Sequence, residues 1–276
     1  MTPSSSSPAP ATDHGDHGDH GGRRDPRWYI GLGLLAGVLS GLFGVGGGFI
    51  VVPLLIRFGL PTRRAAATSL AAVIPIACAA LVPYWFDHQV HGAAAALLFA
   101  GSMTGTLLGT NLLRRVPVKA IQYLFVAILL LAAVRLAITV VSGEQRQMTW
   151  KIDLGLAVLG MMTGILSGLL GVGGGFIMVP GLMFIASMPS NLAKGTSLAA
   201  IIPSAMVGSW RNNRSGLVDL SAAVRIGLPG AVASAISAAV AVKIDQRVIN
   251  AAFAALLLVL AVSMLGTAAK GEPEDL

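Results

Sequence analysis

Apolar residues fall into runs of about twenty between residues 28 and 269, separated by short polar or basic loops. A helix needs about twenty residues to cross a hydrocarbon core of roughly 30 Å. The pattern therefore predicts an all-α integral membrane protein. Five hydrophobic helical elements are predicted in each half of the chain: 28–44, 46–59, 64–85, 92–113 and 118–141 in the first, and 151–171, 173–187, 193–210, 217–241 and 246–268 in the second.

The two halves share a repeated string. Residues 37–53 (GVLSGLFGVGGGFIVVP) recur at 164–180 (GILSGLLGVGGGFIMVP), with fourteen of seventeen positions identical at an offset of 127. Residues 68–75 (TSLAAVIP) recur at 196–203 (TSLAAIIP), at an offset of 128. Because internal repetition decides architecture, we divide the chain into two transmembrane repeats with two tails: residues 1–27, 28–142, 143–269 and 270–276.

The charged loops indicate how the two repeats lie in the membrane. In the first repeat the loop at 57–64 is basic, whereas the matching loop of the second repeat, at 187–192, is uncharged. The loop at 87–91 has no Lys or Arg, whereas its match at 211–214 is basic. Cytoplasmic loops carry an excess of Lys and Arg. The reversal predicts inverted repeats with both termini in the cytoplasm of a multi-pass cell-membrane protein, although Lys243 and Arg247 fit this assignment less well.

Composition narrows the class further. Hydrophobic residues make up 55% of the chain and charged residues 11%, and the net charge of +7 comes from short loops, so we predict no nucleic-acid partner. The first 27 residues carry Asp-His-Gly repeats, which predict a solvated tail or, alternatively, a weak metal-binding tract. The single Cys78 provides no disulfide framework.

The glycine runs at 44–48 and 171–175 predict a break between the two short first elements of each repeat, which are either short tilted crossings or a re-entrant hairpin. Unwound backbone at membrane depth is tolerated where it lines a cavity or is buried in protein. A new helix beginning there presents free N–H groups to an anion. Alternatively, the row Ser40, Gly44 and Gly48 only allows close helix packing. The predicted substrate-binding glycines are Gly44, Gly46, Gly47, Gly48, Gly171, Gly173, Gly174 and Gly175.

Hydroxyl groups follow the glycine break in both repeats, and a cation, Lys194, follows the break of the second repeat. Thr68 and Ser69, with Thr196 and Ser197, are predicted to begin the third helix of each repeat, where they bind an oxyanion or cap the helix. Lys194 is predicted to bind substrate, or alternatively to extend to the membrane interface. The loop residues His88 and His91 are candidates for gating by protonation or, alternatively, ordinary loop histidines. Aromatic residues near segment ends predict interfacial anchors: Trp28, Tyr84, Trp85, Trp150 and Trp210.

The doubled G-x-G-G-G-F-[IV]-x-V-P element, the repeated Thr-Ser-Leu-Ala-Ala string and the basic loops resemble the TauE/SafE family of membrane permeases. The resemblance covers residues 30–268. It implies export of sulfite or an organosulfur anion, with the glycine segments and the Thr-Ser pairs as pathway residues.

The resulting expectation is a secondary transporter of a small anion, with the lipid bilayer as its surroundings and with no cofactor, metal or enzymatic activity. A permease for cations or metals is the first alternative, although it would require carboxylates along the path, and the acidic residues lie nearly all in loops and tails. A membrane-embedded enzyme is the second, and the spans contain no paired carboxylates for it. The sequence predicts no particular oligomeric state.

Overall fold

The computed structural model describes residues 26–112, 126–127, 130–131, 133–134, 149–170 and 174–270. Over these residues the chain is helical between short connections, and no strand occurs among them. Most of the two predicted tails and most of the element predicted at 118–141 lie outside the described residues. The helices are α1 (Pro26–Phe43), α2 (Gly48–Arg57), α3 (Thr62–Phe86), α4 (Gly92–Leu112), α5 (Trp150–Leu170), α6 (Gly175–Ile185), α7 (Ser190–Arg214), α8 (Leu220–Lys243) and α9 (Gln246–Lys270).

The all-helical membrane architecture is confirmed. Among the described helices, α3, α8 and residues Trp150–Ser167 of α5 are long and apolar enough to cross a membrane. The helices after the glycine breaks are much shorter, with ten residues in α2 and eleven in α6. At 1.5 Å per residue they extend only about 15–17 Å, roughly half of a hydrocarbon core. The breaks therefore lie well inside the bundle.

Helix α1 of the first repeat packs against α8 of the second through a row of glycines. A Cβ atom on Gly33 would clash with the Ile226 carbonyl, and one on Gly37 would clash with the backbone of Gly230. Only glycine allows this approach, which is how small residues join helices in membranes. This row makes the α1–α8 contact, whereas Gly44 of the predicted row packs closely against Lys194 of α7.

The same contact occurs between α5 of the second repeat and α4 of the first. Gly160 lies against the Leu98 carbonyl, and Gly164 lies against Ser102. Gly160 and Gly164 match Gly33 and Gly37 of α1 at an offset of 127. Leu98 and Ser102 match Ile226 and Gly230 of α8 at an offset of 128. The contacts between the repeats are therefore reciprocal, as in an interface between two copies of one unit.

Helices α3 and α7 lie between these two pairs and pack against each other. Each has 25 residues and follows a proline, Pro61 or Pro189. Both helices contain buried alanines and polar residues on their inner faces, including the repeated Thr-Ser pairs. The centre of the molecule is thus formed by the repeated strings of both halves.

Candidate functional site

The first glycine segment breaks the chain between α1 and α2. Gly44, Gly46 and Gly47 have positive φ angles of 71°, 80° and 75°, a conformation that glycine adopts without steric cost. Gly47 directly precedes the first residue of α2, Gly48. The predicted break is confirmed here, and it leaves the amino-terminal N–H groups of α2 inside the protein.

The second segment has the same form where it is described. Gly174 has a φ angle of 71° and precedes α6, which begins at Gly175. Its Cα faces Thr163 of α5, as Gly47 faces Ala36 of α1 at the matching position. The predicted residues Gly171 and Gly173 lie outside the described residues.

The two breaks meet in the interior. A Cβ atom on Gly175 would lie 2.6 Å from the carbonyl oxygen of Val45, which belongs to the first break. The Ile201 side chain of α7 lies close to both Gly46 and Gly175. Helices α2 and α6 therefore begin in one region, and their positive dipole ends are brought together.

Lys194 lies directly against the first break. A Cβ atom on Gly44 would be 2.6 Å from the Cβ of Lys194, so only glycine fits beside this residue. The Lys194 side chain has no exposed surface, and its Nζ donates a hydrogen bond to Oε1 of Gln246 at 3.1 Å. The Lys194 side chain is therefore enclosed by protein, and its ammonium is directed at Gln246, the first residue of α9.

The charge of Lys194 is poorly compensated within the part of the chain that is described. An ammonium group has three donors, and Gln246 accepts from one of them. Among the side chains that the structure describes, no carboxylate pairs with Lys194, and it is the one buried charged group. A buried charge is costly unless it has partners, so this position favours a negatively charged ligand.

The two serines of the repeated strings differ in their partners. Ser69 Oγ donates to the carbonyl of Gly48 at 3.4 Å, which links α3 to the start of α2. Ser197 Oγ, one turn beyond Lys194, is fully buried and has no hydrogen-bond partner among the described residues. Ser40 Oγ, four residues before Gly44, has the same status. Buried hydroxyls without a partner are uncommon in proteins.

Thr68 and Thr196 do not cap their own helices. Helices α3 and α7 begin six residues earlier, so the prediction that the Thr-Ser pairs begin them is wrong. Thr68 Oγ1 accepts a hydrogen bond from the N–H of Asp219 at 3.0 Å, and Thr196 Oγ1 accepts from the N–H of His91 at 2.9 Å. Each threonine therefore holds the loop that enters the fourth helix of the other repeat.

The loop residues that bond to these threonines act as helix caps. Asp219 Oδ1 accepts from the N–H of Ala222, and His91 Nδ1 accepts from the N–H of Ala94. These pairs also match at an offset of 128. The predicted gating role of His91 has no support in this arrangement, in which its imidazole nitrogen is an acceptor at the start of α4.

Two residues next to the site were not predicted to belong to it. Tyr84 was assigned to the membrane interface, but it is fully buried and donates to the Gly41 carbonyl at 2.8 Å. Gln246 carried no sequence signal, because a glutamine near a loop is ordinary. The four tryptophans predicted as anchors are exposed over 59–67% of their surface: Trp28, Trp85, Trp150 and Trp210.

Among the residues that the structure describes, no three His, Cys, Asp or Glu side chains are grouped so that they could hold a metal ion. The site instead combines unwound glycine backbone, two helix amino termini, buried hydroxyls and one buried cation.

Broken helices that meet inside a duplicated apolar bundle are the construction of a membrane transporter. Comparison with known proteins gives the same class. The profile of the family described as "Sulfite exporter TauE/SafE" matches residues 4–136 and 156–275. The chain therefore belongs to the TauE/SafE family, as its glycine and Thr-Ser motifs predicted.

Individual relatives are consistent with this assignment. A "Probable membrane transporter protein" of Xylella fastidiosa is 28% identical over 244 residues, covering 86% of this chain and 93% of the relative. The Bacillus subtilis "Probable membrane transporter protein YunE" is 27% identical, covering 72% and 82%. An Arabidopsis thaliana "Sulfite exporter TauE/SafE family protein 1" is 33% identical over 88 residues, covering 32% and 20%. No solved structure matches this chain.

Proposed function

We propose that this transporter moves a small anion, such as sulfite, a sulfonate or a related sulfur oxyanion, out of the cell. The observation that carries the proposal is the placement of Lys194 against Gly44, beside the point where the two glycine breaks meet. The name of the family and that of the Arabidopsis relative support a sulfur anion as the substrate.

The chemistry of this region suits an anion. Helices α2 and α6 direct free N–H groups and partial positive charge toward the breaks. Glycine has no side chain, so an oxyanion can approach those N–H groups directly. When it is protonated, the Lys194 side chain adds a positive charge, and the Ser197 hydroxyl can donate a further hydrogen bond. The proposal assigns no catalytic step to the chain.

The two repeats are proposed to be inverted, with both termini in the cytoplasm. The reversal of loop charge supports this orientation, and so do the reciprocal contacts α1–α8 and α5–α4. In that arrangement each repeat can open the meeting point of the breaks to one side of the membrane. An inside-negative potential adds about 2.3 kcal/mol per charge per 100 mV in favour of anion exit, so export needs no ATP.

Flux measurements with purified protein in liposomes test the proposal. Vesicles are loaded with sulfite, thiosulfate, methanesulfonate or sulfate, and efflux is followed under an imposed potential and pH gradient, with divalent metals as the comparison set. We expect efflux of at least one sulfur oxyanion, faster when the loaded side is negative. Flux of a divalent metal without flux of any of these anions would contradict the proposal and favour the cation permease.

A further inference from the structure

The first turns of α7 and α9 face each other through polar side chains. Ser190 Oγ donates to Oδ1 of Asn250 at 2.7 Å, and Lys194 Nζ donates to Oε1 of Gln246 at 3.1 Å. Residues 190, 194 and 197 are spaced so that they share one face of α7, and 246 and 250 are spaced so that they share one face of α9. We call these five residues the α7–α9 seam.

The seam begins at the loop side of α7 and leads inward to the first glycine break. Ser190 is the first residue of α7, Lys194 lies against Gly44, and Ser197 lies one turn deeper. Ser190, Lys194 and Ser197 are each at most 4% exposed. Within the described part of the chain, Lys194 thus has one neutral partner, and the next polar group along the seam, the Ser197 hydroxyl, has none.

Gln246 is held in one orientation by the backbone. Its Nε2 donates to the carbonyls of Ala241 and Ile244, at 3.2 and 3.0 Å. These two bonds leave Oε1 directed at Lys194. An amide flip would bring a donor toward the ammonium and lose both backbone bonds. The side-chain oxygen of Gln246 therefore accepts one of the three ammonium hydrogens of Lys194 and fixes the position of that ammonium.

We propose that the α7–α9 seam is the charge-selecting subsite of the pathway, in which Lys194 binds one negative charge of the substrate and Gln246 fixes the position of that ammonium. The inference rests on the proposed function. It adds a substrate class: oxyanions that carry a single negative charge, such as sulfonates. Lys194 is the one full charge that the described part of the site offers, so the second charge of a dianion would be offset only by the partial positive charges of the helix ends.

The first repeat has no copy of this subsite. Position 66 is Ala where the second repeat has Lys194, and position 118 is Val where the second repeat has Gln246. The charge selection is therefore placed in one half of a pathway whose backbone is duplicated.

Three tetrahedral sulfur compounds of similar size test the charge selection: methanesulfonate with one negative charge, sulfate with two, and dimethyl sulfone with none. Each is measured at matched ionic strength for efflux from liposomes and for the rise in melting temperature of the purified full chain, since a bound ligand stabilises the folded state. We expect the wild-type protein to prefer methanesulfonate. A preference for sulfate, or for dimethyl sulfone, would overturn the inference.

Substitutions at the seam test separately whether the positive charge is needed and where it must lie. Gln246→Glu supplies an internal carboxylate to Lys194, and we expect methanesulfonate transport to fall by about ten- to a hundredfold while the protein remains folded. Lys194→Gln should have a similar effect. The double variant K194Q/Q246K, which moves the cation by one contact, should recover part of the flux. Lys243→Gln removes an exposed cation three residues before Gln246 and serves as the matched control.

The outcomes distinguish this inference from the proposed function. If the wild-type protein transports none of the tested anions, the proposed function fails. If the wild-type protein transports methanesulfonate and Gln246→Glu does so equally well, the seam inference is wrong and the proposed function stands. If Lys194→Gln does not fold, the flux of the folded Gln246→Glu variant decides. A reduced flux supports the seam inference, and an unchanged flux contradicts it.

Discussion

Helices α3 and α7 are two copies of one element placed at the centre of the molecule. Both have 25 residues, both follow a proline, and both contain Thr-Ser-Leu-Ala-Ala six residues after their start. Thr68 and Thr196 accept hydrogen bonds from equivalent loops of the opposite repeat. At this level the halves are interchangeable, because duplication has preserved the backbone and the contacts that position it.

The same helices differ two residues before each threonine. Ala66 in α3 is uncharged, whereas its counterpart Lys194 in α7 is a basic residue buried against the first glycine break. The hydroxyls differ as well, since Ser69 has a partner and Ser197 has none in the described part of the chain. The comparison indicates that geometry is shared by the halves and that charge is confined to one of them.

The prediction with the largest expected effect concerns whether the two halves are inverted in the membrane. In a background carrying Cys78→Ser, a single cysteine is introduced by Asp87→Cys or by Ser215→Cys, at exposed and equivalent loop positions. Intact cells are treated with a membrane-impermeant maleimide before and after permeabilisation. We expect Asp87→Cys to be labelled from outside and Ser215→Cys only after permeabilisation, because the matching loops lie on opposite faces. Labelling of both positions from one side would contradict the inverted arrangement.

Substitution of the residue before each short helix should affect both halves equally. Gly47 and Gly174 have positive φ angles and lie against Ala36 and Thr163 respectively. A leucine at either position adds backbone strain and overpacking, together about 2–6 kcal/mol of folding free energy. We expect Gly47→Leu and Gly174→Leu to lose monodisperse folded protein and transport, measured by size-exclusion profiles and flux.

The control for these variants is Gly31→Leu in α1, where no neighbouring atom lies within 4 Å of an added Cβ. It should fold and transport like the wild-type protein. If Gly47→Leu or Gly174→Leu behaves in the same way, the breaks are not closely packed backbone.

Hydropathy and repetition were sufficient to predict the helices that the structure describes, because burial in lipid requires every spanning segment to be both apolar and internally hydrogen-bonded. The predicted segment 92–113 agrees with α4, which ends at Leu112. The glycine breaks were predictable for a related reason, since three consecutive glycines disfavour a helix wherever it lies.

The partners of the site residues could not be predicted, because they depend on how the repeats pack. The predicted cap role of Thr68 failed since α3 begins at Thr62, and its partner Asp219 lies 151 residues away. Tyr84 resembles an interfacial anchor until its hydroxyl is seen to bond to Gly41. Gln246 becomes relevant only because α9 brings it to Lys194. Long-range contacts of this kind leave no periodic signal in one sequence.

Moving the charge between the halves should not preserve transport. We expect Lys194→Ala to lower methanesulfonate efflux by about ten- to a hundredfold, the usual cost of a lost bond to a charged group. The double variant K194A/A66K places a lysine at the equivalent position of the first repeat, where position 118 is Val and offers no amide oxygen. Efflux should remain low in this variant. Full recovery of efflux would show that either half can carry the charge. Ala66→Ser in the wild-type background is the control for altered packing at position 66.

The smallest predicted effect concerns the two threonines, at which the halves should again be equivalent. Thr68→Val and Thr196→Val keep the shape of the side chain and remove the acceptor for the N–H of Asp219 or His91. An unsatisfied N–H costs about 1–3 kcal/mol. Each variant should therefore lower the melting temperature by a similar few degrees, and the double variant should show the sum, because the two bonds share no residue. A much larger effect of Thr196→Val on efflux than on melting temperature would place its hydroxyl in the anion site beside Lys194 and would limit the equivalence of the halves to Thr68.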